Sequence, residues 1–106
     1  MSANHAGDIS RAKEIIHAAK EAGADCIKIQ TYTPDTLTID CDNSYFHISN
    51  GTWNGENLYQ LYQKAYTPWE WQKELFEEAK KAEIDFFLLH LTIHPLISGK
   101  NWNWIL

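Results

Sequence analysis

The sequence predicts an α/β chain in the order α-β-loop-α-α-β, with a parallel sheet and helices packed outside it. Three observations carry this. Two stretches, residues 9–22 and 69–82, place apolar side chains at helical spacing. The first of them stops at Gly23 and runs at once into "CIKIQTY", a short β-rich segment. Helix, tight turn and strand in that order are half of a parallel βαβ unit. Residues 33–57, by contrast, carry clusters of turn residues in place of any period.

Each element has its own justification. The opening "SANHAGD" is small and polar, as a loop should be, and Asp8 is placed to cap the helix that follows it. Ile9, Ala12, Ile15, Ile16, Ala19 and Ala22 make that helix's apolar face, and Gly23 supplies the left-handed residue that ends it. In the strand, Ile27 and Ile29 share one face while Lys28 and Gln30 share the other. The connection from Thr33 to Asn57 is about 25 residues long, and long loops on compact α/β scaffolds tend to be functional. "ENLYQLYQKA" brings back a helix with Leu58, Leu61, Tyr62 and Ala65 on one side. "TPWE" predicts the next start: Thr67 as cap, Pro68 at the first helical position and Glu70 completing a capping box. Trp69, Leu75, Phe76, Ala79 and Ala82 then face inward, opposite a charged face of Lys73, Glu77, Glu78, Lys80 and Lys81. "IDFF" opens a second buried strand.

Composition narrows the function. The chain has 106 residues, 44% of them apolar, enough for one globular core. A net charge of −5 argues against binding nucleic acid through its phosphates. Met1 leads into small and polar residues with no secretory pattern, and Cys26 and Cys41 have no ligand-like spacing, so a cytoplasmic chain with reduced thiols is expected. The apolar end, residues 86–106, is interrupted by His90, His94, Pro95, Gly99 and Lys100, short of the ~20 apolar residues of a membrane span. His90 and His94 are four apart, yet no acid sits between them as in HExxH and Pro95 opposes a helix, so no metal site is read there. Lys28 and Gln30 stand on the polar face of an otherwise buried strand. That is either a solvated face or, in a closed barrel, a pair directed at the substrate mouth. Asn4 and His5 lie in a loop before a helix N-terminus, where a surface histidine is the plain reading. Two strands cannot form a stable sheet core and a parallel barrel needs about 250 residues, so the chain reads as a piece of a larger architecture. A small non-catalytic helical interaction module built on the Trp69 helix is the reading from another class. It would melt cooperatively, whereas a barrel fragment should aggregate or behave as a molten species.

"SANHAGDISRAKEIIHAAKEAGADCIKIQTYTPDTLT" and "GTWNGENLYQLYQKAYTPWEWQKELFEEAK" resemble the sialic-acid-type synthases, which condense phosphoenolpyruvate with an amino-sugar aldehyde. Within that group they look most like the branch that makes pseudaminic acid, with N-acetylneuraminate synthesis as the alternative. The resemblance runs continuously from Ser2 to about Phe87. It implies the N-terminal part of a (β/α)8 TIM barrel over residues 1–87, in an enzyme that is a homodimer with a divalent metal, Mn²⁺, Mg²⁺ or Co²⁺. By position, it implies Lys28 as the catalytic cation near phosphoenolpyruvate and Gln30 as a hydrogen-bonding partner of the sugar. Asn4, His5, Thr31 and Tyr32 would line or shape the site, and the loop around Trp53 would cover it. No metal ligand is implied within this chain.

The chain departs from that pattern at both ends. Relatives of this kind carry a glutamate just before "SANHAG", where Met1 stands here. They follow "FF" with a Ser- and Thr-bearing turn, where this chain gives "LLHLTIHPLISGK". All 14 acidic residues precede Phe86, and Lys100 is the one charge after it. With suitable codons, a reading frame moved by one base over Ser-Thr-Pro-Phe-Asp can yield Leu-Leu-His-Leu-Thr, so residues 88–106 are expected to be a frameshifted or aberrant tail. The nucleotide sequence after the Phe87 codon tests this: an alternate frame with no Ser-Thr-Pro-Phe-like run would rule it out. Alone, the chain is expected to be inactive.

Overall fold

A computed structural model describes residues 1–91; most of the apolar end analysed above, including His94, lies outside the described residues. The order is α1 (Ile9–Glu21), β1 (Cys26–Thr31), α2 (Pro34–Leu37), α3 (Leu58–Ala65), α4 (Trp71–Lys81) and β2 (Asp85–His90). Short 3-10 turns occupy Ala3–His5 and Ser44–Phe46. β1 and β2 pair in parallel, with Ile27 beside Phe86, Lys28 beside Phe87, Ile29 beside Leu88 and Gln30 beside Leu89. The two-stranded parallel sheet agrees with the α/β reading, and the described residues form no closed barrel.

The strands are held by helices on one face. Ala12 and Ile16 of α1, Ile27 and Ile29 of β1, Leu75 and Ala79 of α4, and Ile84 and Leu88 at β2 form one buried cluster. Alanines at 12 and 79 let the two helices approach the sheet closely, while the branched residues fill the space between them. Outside this core, α1 and α4 are linked at their solvent edge by Lys13 to Glu74 and by His17 to Glu78, 2.9 Å apart.

Both helix-to-strand turns use the same device. After α1, the Gly23 N–H donates to Lys20 O and the Ala24 N–H to Ala19 O; after α4, Glu83 N–H donates to Lys80 O and Ile84 N–H to Ala79 O. This is the Schellman closure, which needs a left-handed residue. Gly23 supplies it at φ +86°, as predicted, but Glu83 does so at φ +55° despite its Cβ. At the other end of α1, Asp8 accepts from the Ser10 N–H at 2.8 Å, the expected cap.

Two local expectations are corrected, and one strand runs further than its opening residues indicated. "TPWE" does not start a helix: residues 68–70 form a turn and α4 begins at Trp71. The physical reason is that the Thr67 hydroxyl, 2% exposed with its residue, is engaged by the His5 ring and not by the helix backbone. The loop is also more ordered than its turn residues suggest. Thr33 and Thr36 form a capping box around the single-turn α2, and His47 bridges Asn57, whose side chain caps α3 by accepting from the Gln60 N–H. Finally, β2 continues three residues past Phe87, with Leu88 buried in the core and Leu91 N–H donating to Thr31 O at 2.9 Å.

Candidate functional site

Alternation along β1 decides which side chains can do chemistry. Ile27, Ile29 and Thr31 are buried against the helices, so Lys28 and Gln30 emerge on the other face of the sheet. Their neighbours across the pair are Phe87, 53% exposed, and Leu89. This face therefore presents a cation and an amide among apolar groups, open to whatever lies against it. Asp25 and Thr31 carbonyls bond toward β2, so the Lys28 carbonyl points to the opposite edge of β1, where it accepts from the Met1 ammonium at 2.6 Å.

At the C-terminal end of β1 the open face meets a hollow of about 330 Å³. Gln30, Tyr32, Trp53, Tyr62, Ser2 and Leu37 are among its walls. Gln30 is oriented there by the Ser2 hydroxyl, which donates to its Oε1 at 3.1 Å, leaving the amide NH₂ group to donate elsewhere. Tyr32 and Tyr62 meet edge to face with centroids 5.7 Å apart. Burial, then the neighbouring Tyr62, pushes the Tyr32 hydroxyl above its ordinary value, so it is a hydrogen-bonding group and not an anion.

The six residues singled out from sequence divide in three ways. Gln30 and Tyr32 line the hollow, and Lys28 shares Gln30's face two residues away. Asn4 lies exposed beside the wall, its Oδ1 accepting from the Ser2 N–H at 3.1 Å. Thr31 and His5 are on the core side. The Thr31 hydroxyl accepts from Gln72 Nε2 at 3.2 Å, and both residues are fully buried. His5 is not the surface histidine that its loop suggested but is fully buried, with Nε2 3.1 Å from the Thr67 hydroxyl and its ring edge-on to Trp71 at 5.4 Å. Burial, then the charge of the N-terminus, lowers its pKa from the ordinary value and so favours the neutral ring. Sequence reasoning missed Ser2, Thr67 and Gln72. Only Gln72 left a signal, a polar residue three positions before Leu75 on the buried stripe of α4.

Among the described residues, no three His, Cys, Asp or Glu side chains are grouped to hold a metal ion, so the divalent metal implied by the resemblance finds no donor set there. None of the described helices is long and apolar enough to cross a membrane.

Comparisons with known proteins place this geometry. A profile of the NeuB family matches residues 15–90. Pseudaminic acid synthase of Helicobacter pylori is 52% identical over 87 residues, covering 82% of this chain and 26% of that protein. Pseudaminic acid synthase of Campylobacter jejuni is 52% identical over 84 residues, covering 79% of this chain and 24% of that protein. N,N'-diacetyllegionaminic acid synthase of Campylobacter jejuni is 32% identical over 84 residues, covering 78% of this chain and 25% of that protein. The chain thus spans about a quarter of the length of the curated relatives it matches.

Proposed function

Since the chain belongs to the NeuB family, we propose that it serves the synthesis of a nonulosonic acid, pseudaminic acid, from phosphoenolpyruvate and 2,4-diacetamido-2,4,6-trideoxy-L-altrose. The observation that carries the reading is the pairing of Lys28 and Gln30 on the open sheet face, beside an aromatic hollow, in a chain 52% identical over 87 residues to a protein named pseudaminic acid synthase. In this reaction carbon 3 of phosphoenolpyruvate bonds to the aldehyde carbon, water adds at carbon 2, and phosphate leaves with cleavage of its C–O bond. Lys28 supplies a fixed positive charge for the carboxylate or phosphate of phosphoenolpyruvate and for negative charge developing in the transition state. Gln30, held by Ser2, donates from its amide to the acceptor sugar, and Tyr32, Tyr62 and Trp53 give the sugar's apolar edge a surface to lie on. A divalent cation belongs to the family reaction as proposed, but the described residues offer it no donor set, and no step here is assigned to it.

The legionaminic-type acceptor is the second reading, weaker because identity falls from 52% to 32% over a similar span. The test is made in the Helicobacter pylori relative, with the residue at the position matching Lys28 replaced by Ala and phosphate release from phosphoenolpyruvate measured against each acceptor. Turnover should fall by about 10² or more, the scale seen when a transition-state charge partner is removed. Turnover within a few-fold of wild type would remove Lys28 from the site, and preference for the legionaminic-type acceptor would favour the second reading.

A further inference from the structure

We infer that Thr67 is a positioning residue, whose hydroxyl takes the Nε2 proton of the buried His5 ring and so fixes the Ser2–Asn4 turn that walls the hollow beside Gln30. Its functional meaning rests on the proposed synthase site; its geometry does not. The Gly7 N–H donates to His5 Nδ1 at 3.1 Å, which requires that nitrogen to be unprotonated. The ring proton therefore sits on Nε2, and at 3.1 Å it is donated to the Thr67 hydroxyl. Trp71 closes another side of the ring, leaving His5 0% and Thr67 2% exposed.

Around this anchor the backbone is wound tightly. Ala6 N–H donates to Ala3 O at 3.0 Å and Asp8 N–H to His5 O at 2.9 Å. The Ser2 N–H donates to Asn4 Oδ1, and the Ser2 hydroxyl passes on to Gln30 Oε1, each at 3.1 Å. A connected path thus runs from the segment before α4, through His5 and its turn, to the open face of β1. Thr67 and His5 are 62 positions apart, so the path ties two parts of the chain that local structure leaves independent. A buried hydroxyl and imidazole that satisfy one another cost little; either one left alone would be an unpaired polar group in the core.

The experiment is ¹⁵N NMR of the histidine rings in the whole chain, without substrate, with His5→Gln used to assign the His5 signals. Wild type should show a single His5 tautomer, Nδ1 bare and Nε2 protonated. Thr67→Ser keeps the hydroxyl and should retain both that signature and the amide shifts of Ser2, Ala3 and Gln30. Thr67→Val leaves the Gly7 bond to Nδ1 but removes the partner of the Nε2 proton, and should shift the His5 Nε2 resonance and displace those three amides. An Nδ1-protonated or mixed ring in wild type, loss of the signature in Thr67→Ser, or unchanged rings and amides in Thr67→Val would each overturn the inference. If Thr67→Val does not fold, Thr67→Ala removes the hydroxyl in its place, and unchanged rings and amides there would equally overturn the inference. Because no turnover is read, this result is separate from success or failure of the synthase reading.

Discussion

Neighbouring residues on β1 should respond to truncation in opposite ways. Ile29 is fully buried between α1 and α4, whereas Lys28 stands on the open face, its side chain forming no hydrogen bond or ion pair among the described residues. Ile29→Ala deletes three methylene-sized groups, about 2.4 kcal/mol at ~0.8 kcal/mol each, before any cavity term. With partial collapse of the site the total should be about 3 kcal/mol, inside the range of about 2–5 for such truncations. A cooperatively folding unit of this size has a total stability near the lower end of about 5–15 kcal/mol, so half or more of it would be lost. Lys28→Ala removes a solvated side chain and should stay within about 0.5 kcal/mol of wild type. Urea unfolding followed by tryptophan fluorescence reads both. With a slope of about 1–1.5 kcal/mol per molar, the midpoint should drop by about 2–3 M for Ile29→Ala and hardly move for Lys28→Ala. Equal shifts, or a larger one for Lys28→Ala, would refute the facing of β1 and with it the placement of Lys28 on the functional side.

Three further outcomes follow from the same structure. Glu83→Gly should raise stability by about 1 kcal/mol and Gly23→Ala should lower it by about as much, since both residues are left-handed and no atom lies within 4 Å of a Cβ built at Gly23; thermal melts would show it as opposite shifts. Asp8→Ala should cost about 0.5–2 kcal/mol through loss of the α1 cap, read in the same melts. His5, buried and with its pKa lowered from 6.5, is neutral in the fold but takes up a proton when unfolded; stability should therefore be full above that value and decline as pH falls below it. Glu78, lowered from 4.5 by His17 and then Lys81, adds a second decline at more acid pH. A pH titration of the urea midpoint would separate the two, and a midpoint that rises between pH 6.5 and 5 would contradict the burial of His5.

What the sequence revealed and what it hid have physical causes. α1, the facing of β1 and the buried stripe of α4 were legible because period and burial there are imposed by one nearby surface, the sheet. Lys28 and Gln30 were legible for the same reason, since a polar pair on an apolar strand marks its second face. His5 and Thr67 were not. Each had a local interpretation, loop histidine and helix cap, and each was overridden by a partner 62 positions away. The extension of β2 to His90 was obscured by a change in composition, although Leu88 and Leu89 satisfy a strand as well as any other apolar pair would. The hollow could not be read at all, because its walls come from the N-terminal turn, β1, the long loop and α3 together.

The closure between α1 and β1 sets how this segment can change in length. Only Ala22 to Asp25 separate the helix from the strand, and side chains along a regular strand alternate between its two faces. One residue added there, with the ladder to β2 re-formed, would carry Lys28 into the hydrophobic cluster and turn Ile27 and Ile29 out to solvent. Two residues added would preserve every facing, at the cost of a strained or looped turn. The stretch between Thr38 and Asn57 is different: beyond one isolated bridge and a short 3-10 turn it is irregular, and each doubling of its length costs only about 0.6 kcal/mol of closure entropy. A designer grafting new specificity onto this scaffold should lengthen the chain there, and count residues in twos only where a strand must keep its facing.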